Sequence, residues 1–297
     1  YKELSKLKEE NPDILLQVAR LNLKLKKIDE AEKVLKKITD IDEDNFQALY
    51  LLATIQEEKK NWDDVVKYLT KIDLIRDDMW EIKMYLGYAY LKLGKKEEAI
   101  KYFEQAKKLN ENEEFIYFYT GLAYVELENY EEAKKNFLKA LELSPENEEI
   151  LFYLAVSYDE LNEDDKAEET LKKLIKINPE NDEALNYLAY FWAEKGKNLE
   201  KALSFVKKAL EKEPENGAYI DTLGWIYYKM GRIEEARKKV HEAVKYLEDP
   251  VIYEHLGDIY FKLKKFKKAK KYYEKAIEKG HREKEKIEEK IRKLDKS

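Results

Sequence analysis

The feature that most constrains this chain is a small residue that recurs about every 34 positions. Neighbouring members of the series stand 34, 34, 34, 34, 34, 35 and 33 residues apart. Each member is alanine or glycine: Ala19, Ala53, Gly87, Gly121, Ala155, Ala189, Gly224 and Gly257. A fixed period of this length is typical of repeat architectures, in which every unit is one supersecondary element. We call these eight residues the marker positions.

Each unit contains two apolar runs at helical spacing. In residues 217–250 the two runs are separated by Gly231 and closed by Pro250, as expected for two helices joined by a turn. A second small or β-branched residue follows each marker by twelve residues, or by thirteen in the sixth unit: Ala31, Val65, Ala99, Ala133, Ala167, Ala202, Ala236 and Ala269. The pattern predicts helix hairpins that cross closely at the small residues.

Three residues after the marker, the later units carry an aromatic side chain. These residues are Tyr90, Tyr124, Tyr158, Trp192, Tyr227 and Tyr260, whereas the first two units have Asn22 and Gln56. The period, the small residue followed by an aromatic one, and the later alanine and proline resemble the tetratricopeptide repeat. This resemblance covers nearly the whole chain and implies an all-α, right-handed superhelical solenoid of about eight hairpins. It implies a protein-binding scaffold and leaves the partner open.

The repeat predicts three segments. Residues 11–280 are expected to form eight tandem units in one array, with one extra residue in the turn at 195–198 of the sixth unit. Residues 1–10 are expected to be the remnant of the second helix of a preceding repeat, because their apolar residues match that helix one unit later. Residues 281–297 are expected to form a capping helix over the last repeat, as repeat arrays require.

Composition narrows the class of protein. The chain has no cysteine, which excludes disulfides and thiol chemistry. Abundant lysine and glutamate with few glutamines favour a thermophilic source. No apolar stretch is long enough to span a bilayer, so we expect no direct membrane insertion of this segment.

Charge is unevenly distributed along the chain. Residues 262–297 contain 16 Lys or Arg and 7 Asp or Glu, a net charge of +9, and the whole chain carries −6. Two interpretations stay open: a solvated outer helix with a charged cap, or a docking surface for an acidic partner. Nucleic acid is not expected as a partner, because the chain as a whole is acidic, with a pI near 5.6.

No residue pattern indicates catalysis, a cofactor or a metal. The three histidines, His241, His255 and His281, lack metal-ligand spacing, and we expect surface or packing roles for them. The glycines serve as markers and turns and form no phosphate-binding loop. We therefore expect a protein that is not an enzyme and has no cofactor, no metal site and no catalytic residue.

The resemblance implies that successive first helices line a concave groove. The predicted groove residues are Tyr50, Met84, Tyr88, Phe115, Phe118, Leu122, Phe152, Val156, Asn186, Tyr190, Asp221, Trp225 and Tyr228. Most are apolar or aromatic, and an exposed apolar patch of this size usually marks a binding site. Two interpretations stay open: a groove for an apolar or aromatic peptide or partner helix, or side chains that only pack between neighbouring first helices. Flanking acidic residues favour a ligand with some positive charge.

A narrower resemblance covers residues 185–236. Three runs are similar to the C-terminal repeats of bacterial cell-envelope tetratricopeptide lipoproteins: Asn186-Tyr187-Leu188, Leu199 to Leu203, and Asp221-Thr222-Leu223-Gly224-Trp225. Some of those proteins are adaptors that bring substrates to a C-terminal processing protease, which implies a periplasmic or outer-membrane-anchored protein; otherwise a cytoplasmic one is expected. The alternative is a structural assembly subunit that self-associates through its ends.

Overall fold

The structure is a computed structural model that describes residues 11–294. Over this range the polypeptide forms seventeen α-helices and no β-strand. The helices are α1 (Pro12–Lys24), α2 (Ile28–Ile41), α3 (Phe46–Glu58), α4 (Trp62–Ile75), α5 (Trp80–Lys92), α6 (Lys96–Leu109), α7 (Glu114–Glu126), α8 (Tyr130–Leu143), α9 (Glu148–Glu160), α10 (Asp164–Ile177), α11 (Asp182–Glu194), α12 (Leu199–Lys212), α13 (Gly217–Lys229), α14 (Ile233–Ala243), α15 (Pro250–Lys262), α16 (Phe266–Glu278) and α17 (Lys284–Leu294). The predicted all-α repeat fold is confirmed. The segment predicted as a remnant helix, residues 1–10, lies outside the described residues.

Each odd-numbered helix up to α15 pairs with the next helix across a short turn. The turn between α3 and α4 comprises residues 59–61, whereas the turn between α11 and α12 comprises residues 195–198. The extra residue predicted for the sixth unit therefore lies in its turn, where Gly196 and Asn198 both have positive φ. Elsewhere a single residue such as Lys60, with φ of 57°, takes the left-handed conformation that ends the first helix.

The small residues lie at the helix crossings, as the repeat predicts. All eight marker positions and their eight partners twelve or thirteen residues later are buried. A Cβ atom built on Gly121 would lie 2.5 Å from the Phe137 ring, so the crossing of α7 and α8 has no room for a larger side chain. Four other units carry alanine at the same position: Ala19, Ala53, Ala155 and Ala189.

The described helices divide into two compact units, and the expected array of eight tandem units stays a prediction. Unit 1 ends at Ala167 and unit 2 begins at Glu168, so the division falls inside α10. In a repeat stack each hairpin packs only on its neighbours, which allows such a division within one repeating pattern. In unit 2, α17 packs against α16, and Ile287 and Leu294 are buried against the last repeat.

None of the helices described is long and apolar enough to cross a membrane. Within residues 11–294 no group of acidic, histidine or cysteine side chains is arranged to hold a metal ion.

Candidate partner-binding pockets

In unit 1 the predicted groove residues differ widely in exposure. Tyr50 and Phe115 are exposed, whereas Phe118 is only 7% exposed. The remaining predicted residues of this unit are half-buried: Met84, Tyr88, Leu122, Phe152 and Val156. They therefore do not present one continuous exposed surface.

In unit 1 the structure most clearly contradicts the prediction for Phe118. Its ring centroid lies 6.1 Å from that of Phe137 on α8 and 5.9 Å from that of Tyr153 on α9. The prediction that Phe118 faces outward is wrong, because the following hairpin closes over the ring. The alternative interpretation, packing between neighbouring helices, holds at this position.

Two of the predicted residues, Met84 and Tyr88, do line a pocket in unit 1. Its cavity measures about 250 Å³, and its other lining residues are Glu57, Tyr85 and Tyr119. The Tyr85 hydroxyl donates a hydrogen bond to Glu57 Oε2. Burial, reinforced by the Glu57 carboxylate, raises the pKa of Tyr85 well above its ordinary value, so its phenol stays neutral.

Tyr85 and Tyr119 were not among the predicted groove residues. Both stand two residues before a marker. The sequence contained a pattern that could have identified them, because tyrosine occupies that repeat position in four consecutive units: Tyr85, Tyr119, Tyr153 and Tyr187. In the structure, Tyr119 stacks on Phe103 and Tyr153 stacks on Phe137, in each case a residue of the preceding hairpin.

In unit 2, Trp225 and Tyr228 line a larger pocket of about 390 Å³. Phe261 and Tyr273 complete its aromatic lining. We call these four side chains the aromatic pocket. Trp225 is only 6% exposed, because Tyr228 stacks on it with ring centroids 4.7 Å apart and because its indole N–H donates to Glu194. Trp225 thus forms a wall of the pocket and is not an exposed anchor.

Charged side chains surround the aromatic pocket. Lys229, Lys290, Lys293 and Asp258 contribute to its lining. The Lys229 ammonium lies 4.8 Å from the centre of the Trp225 ring, within the range of a cation–π interaction.

A smaller polar cavity of about 220 Å³ adjoins the aromatic pocket and shares three lining residues with it. These shared residues are Trp225, Asp258 and Lys290. The predicted residue Tyr190 lines this cavity. Three further carboxylates line it: Glu194, Glu254 and Glu283. The cavity is also lined by two lysines, Lys286 and Lys290, and two histidines, His255 and His281.

Asp221 was predicted to face the groove and is instead buried, with 5% of its surface exposed. Its Oδ2 lies 2.8 Å from Nδ1 of His255, and the His255 ring stacks on Trp225 at a centroid distance of 3.9 Å. Burial opposes a charge on the imidazole, but Asp221 outweighs it and raises the pKa of His255 above its ordinary value. Asp221 therefore orients His255. The remaining predicted residue, Asn186, is half-buried and does not line either cavity.

A network of charges holds α17 beside these cavities. Lys290 Nζ lies 2.6 Å from Glu254 Oε1 and 2.7 Å from Asp258 Oδ2. The Tyr273 hydroxyl donates to Asp258 Oδ1 at 2.7 Å, and His281 Nε2 lies 2.9 Å from Glu254 Oε2. Burial opposes ionisation of Glu254, but Lys290 holds its pKa below the ordinary value. No sequence pattern indicated that α17 carries the cation of this network.

Comparison with known proteins identifies the family. Residues 64–294 match the family model described as "Cilia and flagella-associated protein 70 C-terminal domain", and residues 1–55 match a model described as "Tetratricopeptide repeat". No curated protein matches the chain.

Solved structures show the same fold. The chain is similar to a chain of the APC/C hetero-tetramer Cut9-Hcn1, with a TM-score of 0.68 and 16% identity over 97% of this chain. It spans 56% of the length of that chain. A tetratricopeptide repeat protein from Parabacteroides merdae ATCC 43184 has a TM-score of 0.61 and 19% identity, with 96% of this chain and 99% of the other covered.

A third similar structure is YrrB, described as "a TPR protein with an unusual peptide-binding site". Its TM-score is 0.51 and its identity 23%, over 62% of this chain and 94% of that one. At these identities the structures establish the fold alone. The fold is a protein–protein interaction scaffold and is generally non-enzymatic. The chain belongs to the tetratricopeptide-repeat proteins, in the family whose model is described as the Cilia and flagella-associated protein 70 C-terminal domain.

Proposed function

We propose that this chain is an adaptor that holds an apolar or aromatic side chain of a partner segment in the aromatic pocket of unit 2. The observation that carries the proposal is a cavity of about 390 Å³ walled by Trp225, Tyr228, Phe261 and Tyr273. Aromatic anchors that enter desolvated pockets typically carry most of an interface's energy. YrrB, which has a similar fold, is a peptide-binding protein by its description, and this supports the class of ligand.

Phe261 offers the cleanest variant for testing this proposal. Its side chain is 43% exposed at the pocket, so its removal leaves the core intact. Tyr246 supplies a matched control, because it is 48% exposed in the same unit and does not line the pocket.

The test begins with selection of a displayed random peptide library against the full chain. We expect enriched peptides to share an apolar or aromatic anchor. Phe261→Ala should weaken their binding by about thirtyfold, the equivalent of a 2 kcal/mol hot spot, and Tyr246→Ala should leave it unchanged. Peptides that bind Phe261→Ala as tightly as the parent chain would contradict the proposal.

The resemblance of residues 185–236 to envelope lipoproteins suggests a finer role. An adaptor of that kind would hold a protease substrate in the aromatic pocket and deliver it to a C-terminal processing protease. Co-purification of a peptide-loaded chain with such a protease tests this role, and loss of the complex in Phe261→Ala is the expected result.

Self-association through the ends is the second candidate function. One observation favours it: three residues of α1 and the residue that follows the helix are exposed and apolar, namely Ile14, Val18, Leu21 and Leu25. An apolar surface of this kind can bury itself against another copy. Light scattering distinguishes the two functions, because a mass that rises with concentration in the parent chain but not in Leu21→Glu supports self-association. A concentration-independent monomer supports the adaptor alone.

A further inference from the structure

We propose that unit 1 carries a separate recognition site, a cage for the ammonium group of a lysine side chain on a partner segment. The cage consists of Met84, Tyr88 and Tyr119 together with the hydrogen-bonded pair Tyr85 and Glu57. It shares no residue with the aromatic pocket of unit 2. The proposal depends on the proposed scaffold role in one respect: the lysine must belong to a protein partner.

Two tyrosine rings, Tyr88 and Tyr119, form the walls of the cage. The centroids of Tyr88 and Tyr119 are 5.3 Å apart, and their planes meet at 72°. Aromatic faces carry negative charge density, and a cation within about 6 Å of a ring centre is attracted to it. Two faces set nearly at a right angle suit a tetrahedral ammonium, whereas a planar guanidinium stacks on parallel faces.

The cavity is large enough for the group. Its volume is about 250 Å³, whereas roughly 10–15 Å³ on the same measure is enough to hold a water molecule. The thioether of Met84 lines the cavity and adds a soft, polarisable contact for the aliphatic stem of the lysine.

The electrostatics at the cage favour a cation. Glu57 Oε2 accepts the Tyr85 hydroxyl, and Oε1 accepts no hydrogen bond from any described residue. Burial raises the pKa of Tyr119, and the neighbouring Tyr88, Glu149 and Glu57 raise it further. The Lys92 ammonium lies 5.1 Å from the centre of the Tyr88 ring.

Lys92 supplies an independent observation. Its position shows that the Tyr88 face already accepts an ammonium group within this chain. An incoming lysine competes with this resident cation by like-charge repulsion. Removal of the Lys92 charge should therefore strengthen ligand binding, whereas removal of the Glu57 charge should weaken it.

Methionine labelling gives a direct readout, because the chain contains only three methionines. With carbon-13 in the methyl groups, Met84 reports on the cage, while Met79 and Met230 do not line it and act as internal references. The probes are N-acetyl-lysine methylamide, its Nε-trimethyl form and the uncharged norleucine analogue, each added to the full chain at matched ionic strength.

We expect both lysine probes to shift the Met84 signal saturably and the norleucine analogue to leave it unchanged. Glu57→Gln should weaken probe binding by about tenfold, Lys92→Met should strengthen it severalfold, and Glu58→Gln, on the same helix outside the cage, should have no effect. If the norleucine analogue shifts the Met84 signal equally, the site is an apolar pocket without preference for a cation, and the proposal is overturned. An unmoved Met84 signal would overturn it as well. Neither result bears on the unit 2 pocket, which the Phe261 variant tests separately.

Discussion

Gly121 lies where α7 and α8 approach most closely, and its neighbour is the ring of Phe137. We expect Gly121→Leu to overpack this crossing and to lower the free energy of unfolding by about 1–3 kcal/mol or more. Thermal and denaturant unfolding measure the change. Lys101→Leu adds the same side chain at an exposed site on α6 and should change little. An unaltered melting curve for Gly121→Leu would mean that the crossing is misplaced.

At the same scale, the buried pair of Asp221 and His255 makes the stability of unit 2 depend on pH. The pKa of His255 is raised in the folded state, so its contribution is fully present below about pH 6.5 and is lost as pH rises through the folded pKa. The difference in stability between the parent chain and Asp221→Asn should therefore shrink with rising pH. The slope of this stability difference against pH should reach at most about 1.4 kcal/mol per pH unit. Amide exchange of α13 and α15 between pH 6 and pH 9 measures it.

His241 provides a control, because its contribution to stability should change with pH in the opposite direction. Burial, together with Arg237 and Lys268, lowers its pKa, so the folded state holds it neutral. The stabilising contribution of His241 should grow as pH rises through its ordinary range, and His241→Gln should cost most at alkaline pH. A pH dependence of the same sign for both histidines would contradict the electrostatic account.

At the scale of the helices, the packing of α17 depends mainly on one cation. Lys290 pairs with both Glu254 and Asp258, and its side chain is 26% exposed. Lys290→Met should remove the ammonium partner that two carboxylates share and speed amide exchange in α17 and α15, at a cost of about 1–3 kcal/mol. Lys284→Met removes an exposed i, i+4 pair from the same helix and should cost less than about 0.5 kcal/mol.

At the scale of the whole chain, stability is approximately a sum of hairpins and their neighbour contacts. Phe103 is fully buried on α6 in unit 1, and Phe103→Ala should cost about 3–5 kcal/mol. Hydrogen exchange should accelerate first in α5, α6 and α7, while α12 to α17 keep their parental rates. Leu74→Ala, at a position 83% exposed, should change neither region. A uniform acceleration over all helices would indicate one cooperative unit instead.

The sequence by itself determined the hairpin and its repetition. The small residues of a hairpin must lie at its own helix crossing, and all sixteen of these positions are buried, as the spacing alone predicted. The extra residue of the sixth unit also lay in the predicted turn. These features depend on contacts between residues about twelve positions apart, and a helical period specifies such contacts directly.

Only the tertiary structure decided which of the remaining side chains reach a partner. Phe118 and Asp221 were predicted to face outward and are buried, because residues of the next hairpin, Tyr153 and His255, pack against them. Tyr119 was not predicted and lines a pocket with residues of the two preceding hairpins. The exposure of an outward position depends on how consecutive hairpins are angled and on side chains about 34 residues away. A helical period within one unit carries no information about either.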